Sequence, residues 1–591
     1  MSDRYVQDDE IVGTVYDARL MRRLIPFIRP HLKAAIAAVM LVFLGMGMFL
    51  VNPWVLGRVV DLGIRAGDAA AVTRLGLMYG VLELLIFLAA CGQNYLLQYV
   101  GQQVMLELRT RLFRHLQRLP VRFFDRNPVG RLVTRVTNDV AALGELFSSG
   151  LVVVLGDAVV LVGIAAAMLL LDPLLGLATL ATLPLLVVAA VYFQSRIRTA
   201  YRLVRQRLAR LNATLAENLS GMKIIRMYQR EADREKGFAE LNAGHRDAQL
   251  QSLFHHAIFS PTVTVINAVT IVIVMLLGGW MVQNGQISIG VLVSFLAYAQ
   301  FFFFPIRNIS EKVTLFQSAM AAAERVFALL DEREEEGLEE GAAPLRWRGE
   351  IAFDRVVFGY DPARPVLRDI SFRIEAGESV AIVGHTGAGK TTLASLLQRF
   401  YEIDAGTITI DGNRLDGYSK DALRRGIGVI QQDVFIFSGS AIENVRLWND
   451  ALDERSVLAH AEKARAAGFL RALPGGCSGE LYERGANLST GQRQLLAFAR
   501  ALCADPPILI LDEATSAVDT ETEKAIQEAI ETMSHGRTCL IIAHRLSTIR
   551  HCNRILVLHD GRLVEQGTHD ELLARGGHYA RLHEIQFASS S

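Results

Sequence analysis

Six long apolar runs, joined by loops that alternate between very short and long, constrain this chain more than any other feature. They cover residues 34–51, about 76–100, about 146–171, 174–192, about 257–282 and 287–304. A helix needs roughly 20 apolar residues to cross the hydrocarbon of a bilayer, and each run is near that length. The first stops before Asn52-Pro53-Trp54 and the third at Asp172-Pro173, with the fourth following almost without a loop. The sixth follows a tight turn at 283–286. Buried helices of a large soluble protein would not also show the alternation of charge described next.

Neither tight turn, at 172–173 or 283–286, holds a Lys or Arg, whereas residues 101–144 carry eight arginines and 195–255 carry twelve Lys and Arg. The first 33 residues carry six. Positive loops stay on the cytoplasmic side, so both chain ends are expected there, in a plasma membrane. Stretches such as "QQVMLELRTRLFRHLQRL" keep a helical pattern. The spans should therefore continue well into the cytoplasm. The first 18 residues are polar and acidic, so no cleavable leader is expected. Glu83 and Asp157 fall inside the second and third runs. Each costs about 2.5–3.5 kcal/mol there, so each either lines a polar translocation cavity or sits at a wet helix end or against another helix. The run "FFFFP" at 301–305 lines a greasy cavity or packs against lipid.

The remainder has the composition of a soluble domain, although 51% of the whole chain is apolar. The formal net charge is +0, which gives no electrostatic pointer to nucleic acid. Five cysteines, Cys91, Cys477, Cys503, Cys539 and Cys552, form no metal-ligand spacing and read as free thiols in a reducing compartment. An acidic run, "DEREEEGLEEG" at 331–341, reads as a solvated linker. The expected domains are a cytoplasmic N-terminal segment (1–33), a transmembrane domain (34–330), the linker (331–345) and a nucleotide-binding domain (346–591).

That last assignment rests on two motifs. Gly384, His385, Thr386, Gly387, Ala388, Gly389, Lys390 and Thr391 fit G-x-x-x-x-G-K-[ST] between an expected strand and helix, with Thr392 next. Glycines let backbone N–H groups close around phosphate oxygens, and the helix N-terminus favours their charge. Lys390 is placed to reach the β- and γ-phosphates of ATP, and the Thr391 hydroxyl to hold Mg2+. "PILILDEATSAVD" (507–519) then ends an apolar strand in Asp512, placed for the metal's water shell. Glu513 follows, placed to take a proton from an attacking water.

With these motifs in order, the chain resembles an ABC exporter half-transporter over nearly its whole length. The resemblance implies a six-helix transmembrane bundle extended into the cytoplasm, followed by an α/β P-loop ABC ATPase domain. It implies that Tyr360 stacks on adenine, that Gln432 is the Q-loop glutamine touching Mg2+, and that His544 is the switch histidine. Asp519 ends the D-loop, and Ser489, Thr490, Gly491 and Gln492 form the signature that meets ATP on a partner. Residues 118–139 and 217–231 resemble the two coupling segments. Two ATPase domains of such a family close head to tail around two ATP molecules, so one chain holds half of each site.

The signature usually reads Leu-Ser-Gly-Gly-Gln; here Thr490 replaces the first glycine. Glycine permits close backbone approach, and threonine adds a branched side chain. An altered signature beside an intact Lys390, Asp512 and Glu513 resembles one subunit of a heterodimeric bacterial multidrug or lipid exporter. Its partner would carry an intact signature and a substituted catalytic glutamate. The alternatives are a homodimeric lipid or drug flippase that tolerates Thr490, and an ATP-gated channel on the same scaffold.

Overall fold

The computed structural model describes residues 17–339, 341, 347–361, 363–512, 520–543 and 546–587. They fall into two compact units: Met1–Arg118 with Asn127–Arg333, and Leu119–Arg126 with Glu334–Ser591.

The first unit is helical. Its main helices are α1 (Ala18–Ile28), α2 (Leu32–Arg58), α3 (Ala69–Leu116), α4 (Leu151–Leu171), α5 (Leu183–Ser220), α6 (Glu231–Gln283) and α7 (Ile289–Leu330). At about 1.5 Å per residue, the 48 residues of α3 run about 70 Å, more than twice a hydrocarbon core of about 30 Å. The polar continuation expected from the loops is therefore helix. Among the described residues, five helical stretches are long and apolar enough to cross a membrane. An apolar stretch of α7 covers Ile289–Phe302 among the described residues. The helix starts after the beginning of the sixth run because the Ser288 side chain caps α7, accepting from the Val291 N–H at 3.1 Å.

Two proline sites depart from the simple reading. Asn52-Pro53 does not end the first span, since α2 continues to Arg58. Proline removes an intrahelical donor. Hydroxyls of α7 bind the carbonyls on either side of the site: Tyr298 donates to Leu50 O at 2.6 Å and Ser294 to Pro53 O at 2.9 Å. The two helices approach closely there, for a Cβ on Gly290 would lie 2.1 Å from the Gly57 carbonyl oxygen. The fourth run is broken into Pro173–Leu180 and α5, with Pro184 near the start of the latter. Threonines satisfy the break: the Thr182 hydroxyl donates to Thr179 O at 2.8 Å and accepts from the Thr270 hydroxyl at 3.0 Å.

The second unit is α/β. Its strands are β1 (Ile351–Phe358), β2 (Leu367–Ile374), β3 (Ser379–Gly384), β4 (Ala405–Ile410), β5 (Asn413–Arg414), β6 (Ile427–Ile430), β7 (Gly439–Ser440), β8 (Glu480–Leu481), β9 (Ile508–Asp512), β10 (Thr538–Ile542), β11 (Arg554–His559) and β12 (Arg562–Gly567). They form a sheet ordered β2-β1-β4-β5, a largely parallel sheet ordered β12-β11-β3-β10-β9-β6, and the small pair β7-β8. The parallel strands β9 and β10 read as near-continuous apolar runs because both faces are covered.

The acidic run is not uniformly solvated. The Glu335 side chain is 7% exposed, accepts two bonds from Arg424 at 2.6 and 3.0 Å, and lies 3.3 Å from Lys420 Nζ. A buried carboxylate needs such partners, and the two cations of the helix Lys420–Gly426 supply them. Asp331, in the first unit, pairs with Arg23 at 2.6 Å.

Candidate nucleotide-binding site

The register of the parallel strands brings the sequence motifs to one edge. β10 aligns Ile542 with Ile382 of β3 on one side and with Asp512 of β9 on the other. β6 in turn aligns Ile430 with Leu511. The phosphate loop, Asp512 and the turn holding Gln431 and Gln432 thus all leave the carboxyl ends of neighbouring strands, where open α/β sheets bind ligands.

The loop from Gly384 leads into α8 (Lys390–Leu397). Gly387 and Gly389 have φ of 84° and 99°. At Gly389 a Cβ would also lie 2.6 Å from Leu367 Cδ2, so glycine is required there twice over. Ala388 is fully buried, while Thr386 and Thr391 are exposed. Lys390 is 6% exposed, and its ammonium donates to Gly384 O at 2.7 Å and His385 O at 3.1 Å. Burial lowers the Lys390 pKa from its ordinary value, against the opposing field of Asp512. Thr391 and Asp512 share a cavity of about 630 Å³ with Tyr360 and Tyr401. Its turn-side wall is Gln431; Gln432, the next residue, is exposed and is not among the cavity's lining residues.

Tyr360 is 44% exposed. Its hydroxyl lies 3.3 Å from Thr392 Oγ1, and its ring meets Tyr401 edge-on at 5.0 Å. Tyr401 and the short helix Val121–Arg126, which folds with this unit, escaped the sequence reading as site residues. The Tyr401 hydroxyl donates to Asp125, and burial together with that carboxylate raises its pKa. The aromatic "FY" at 400–401 directly after α8 was the available signal.

The signature lies elsewhere in this unit, at the start of α9 (Thr490–Ala504). Ser489 and Gln492 form a reciprocal capping box, with bonds of 2.9 and 3.2 Å. Gly491 is buried. The exposed Thr490 hydroxyl accepts from Arg493 Nη2 at 3.1 Å. Glu513, Asp519 and His544 lie outside the described residues.

In the helical unit, Glu83 Oε1 accepts from the Asn52 amide of α2 at 2.5 Å, with the Tyr79 hydroxyl beside both. Of the readings open for Glu83, the structure gives it a partner on a neighbouring helix. Asp157 is half-buried on α4.

A helical unit with membrane-length spans, fused to a P-loop domain, defines an ATP-driven membrane transporter. Residues 35–306 match the ABC transporter transmembrane region family and residues 367–516 the ABC transporter family. The chain belongs to the ABC transporters, with the architecture of an exporter half-transporter that couples ATP hydrolysis to transport. It is 37% identical over 589 residues to a Bacillus subtilis (strain 168) protein named "Uncharacterized ABC transporter ATP-binding protein YknV", covering 99% of this chain and 98% of that one. It is 35% identical over 569 residues to "Uncharacterized ABC transporter ATP-binding protein YfiC" of the same organism (96% and 94% covered). It is also 37% identical over 517 residues to that organism's "Probable multidrug resistance ABC transporter ATP-binding/permease protein YheH" (86% and 76% covered).

Proposed function

We propose that this chain exports or flips amphiphilic small molecules, drug-like or lipid-like, across the plasma membrane by alternating access, as the catalytically intact subunit of a heterodimer. The observation that carries the ATP site is the strand register, which sets Lys390, Thr391 and Asp512 at one sheet edge. The loop amides and Lys390 hold the phosphates, and Tyr360 meets the base. Thr391 and Asp512 offer the oxygen donors that Mg2+ prefers, and both face the same cavity. That ion would neutralise phosphate charge. Glu513 takes the proton from the attacking water, and the family pattern assigns Gln432 to Mg2+ and His544 to the γ-phosphate. The ATPase domain and both chain ends face the cytoplasm, as the arginine-rich loops favour.

The heterodimer rests on Thr490. Its branched side chain stands at the first turn of α9, where the usual signature has glycine, while this chain's own phosphate loop is complete. The cargo class rests on the printed name of YheH and on the apolar helices. Purification tests the partnership. The chain expressed alone should fail to form a stable, ATP-hydrolysing dimer, and a second half-transporter chain should restore both. A lone chain that dimerises, hydrolyses ATP and transports normally identifies a homodimer. ATP-driven uptake of a fluorescent amphiphile into inside-out vesicles, against single-channel current, separates transporter from channel.

A further inference from the structure

A cluster of imidazoles beside the phosphate loop has no task in the reading above. Parallel pairing sets Gly384 of β3 against Leu558 of β11, and the next residue of each segment is a histidine. His385 opens the phosphate loop. His559 ends β11, and Asp560 follows in the β11–β12 turn at φ 46°. One ligand atom from each of His385, His559 and Asp560 lies within 4.8 Å of the others. Each histidine also has a short contact to the carboxylate, one to each of its oxygens. His385 Nε2 is 3.3 Å from Asp560 Oδ1, and His559 Nε2 is 3.7 Å from Asp560 Oδ2. Bonds of 2.0–2.1 Å to a tetrahedral zinc ion place neighbouring ligand atoms about 3.3 Å apart.

The proton arrangement favours a cation at that spot. His385 Nδ1 lies 2.9 Å from the Thr386 carbonyl oxygen, which can only accept, so Nδ1 carries a proton. Such a bond from the far nitrogen orients metal-binding histidines generally. Nε2 then faces a carboxylate oxygen, and two acceptors at that distance need a proton or a metal ion between them. The His559 ring is braced against His578, with centroids 4.6 Å apart. We propose that His385, His559 and Asp560 bind a divalent transition metal of the zinc class, and that the ion ties the phosphate loop to the β11–β12 turn. Two imidazoles and one carboxylate suit such an ion and not Mg2+, which takes oxygen ligands. Resting on the ATP-site reading, the consequence is slower turnover, because His385 is covalently part of the loop that holds the phosphates.

The test uses the full chain with any affinity tag removed, chelator-stripped and nucleotide-free. Zinc is titrated in competition with a chromophoric chelator, and Co2+ serves as the spectroscopic probe. One zinc ion per chain is expected at micromolar concentration. His559→Gln and Asp560→Asn should each weaken it by at least ~10-fold. Each chain is then assembled with its partner half-transporter, and ATP turnover with zinc is compared with the same pair's zinc-free rate: the pair holding the unaltered chain should slow as zinc fills the site, and the pairs holding the variants should not. Absence of a zinc site in the unaltered chain, or both variants binding zinc as tightly as it does, overturns the proposal. Zinc bound with turnover unchanged overturns the restraint on the loop. Binding is read without nucleotide, so failure of the ATP-site reading would not be mistaken for failure of the metal site.

Discussion

Lys390 is almost wholly buried, yet the protein partners of its ammonium are carbonyl groups of its own loop rather than a carboxylate within bonding distance. An ammonium has three donors, and Gly384 O and His385 O take two of them. The charge is therefore held at the loop while a donor remains for a phosphate oxygen. Lys390→Met should lower ATP turnover about 10²- to 10³-fold, the scale of losing one preorganised donor to a transferring group. A colorimetric phosphate assay on the assembled transporter checks this, with thermal unfolding unchanged. Thr490 is the second informative residue. Its hydroxyl is tied back to Arg493, and threonine carries a branched side chain where the usual signature has glycine. In the heterodimer Thr490→Gly should leave turnover of the pair nearly unchanged, because the site it completes lacks a general base; in a homodimer the same change should raise turnover about fivefold, equivalent to about 1 kcal/mol of barrier. A fivefold rise would therefore count against the heterodimer. The residue types of the phosphate loop were legible in the sequence because phosphate chemistry restricts them so tightly. Tyr401, Gln431 and the imidazole pair were not, since their placement depends on strand register, which spacing along the chain does not reveal.

At the level of elements, apolar runs located helices well and their ends poorly. Hydrophobicity marks only the portion of a helix that meets hydrocarbon, so the polar extensions of α3, α5 and α6 had to be inferred from their pattern. Proline misled in both directions. Hydroxyls of α7 stabilise α2 around Pro53, and the Thr179, Thr182 and Thr270 hydroxyls permit a break that no gap in hydrophobicity announces. The linker misled for a related reason: a run of carboxylates looks solvated until one of them meets buried cations. Burial alone would raise the Glu335 pKa, but Arg424 and Lys420 outweigh it and hold the carboxyl below its ordinary value. Glu335 therefore stabilises the fold above the ordinary carboxylate range, and that contribution is lost as pH falls through the lower folded value. Glu335→Gln should cost about 2–3 kcal/mol at neutral pH, because it leaves two cations without their buried counter-charge. Thermal unfolding of both proteins as a function of pH should show the difference shrinking in acid; a difference that persists there would mean that the lost packing, not the charge, matters.

For the whole molecule, the question is which of two ATP sites does the work. In a head-to-tail pair each ATP lies between one chain's phosphate loop and the other's signature. If the partner carries an intact signature, the site built on Lys390, Asp512 and Glu513 is complete, and the one completed by Thr490 is not. One general base then governs all hydrolysis. Removing a positioned base costs about 10²- to 10⁴-fold, so Glu513→Gln in this chain alone should reduce turnover of the pair by at least ~100-fold. Placing glutamine at the corresponding position of the partner, which already lacks the glutamate, should alter it little. In a homodimer the two sites are equal by symmetry, and mixed dimers carrying one altered chain would retain activity or lose it irrespective of which chain was altered. Co-expression of differently tagged copies, purified through both tags, gives each mixed species. Equal effects from the two chains would remove the heterodimer reading while leaving the ATP site itself intact, since Lys390→Met reports on that site separately.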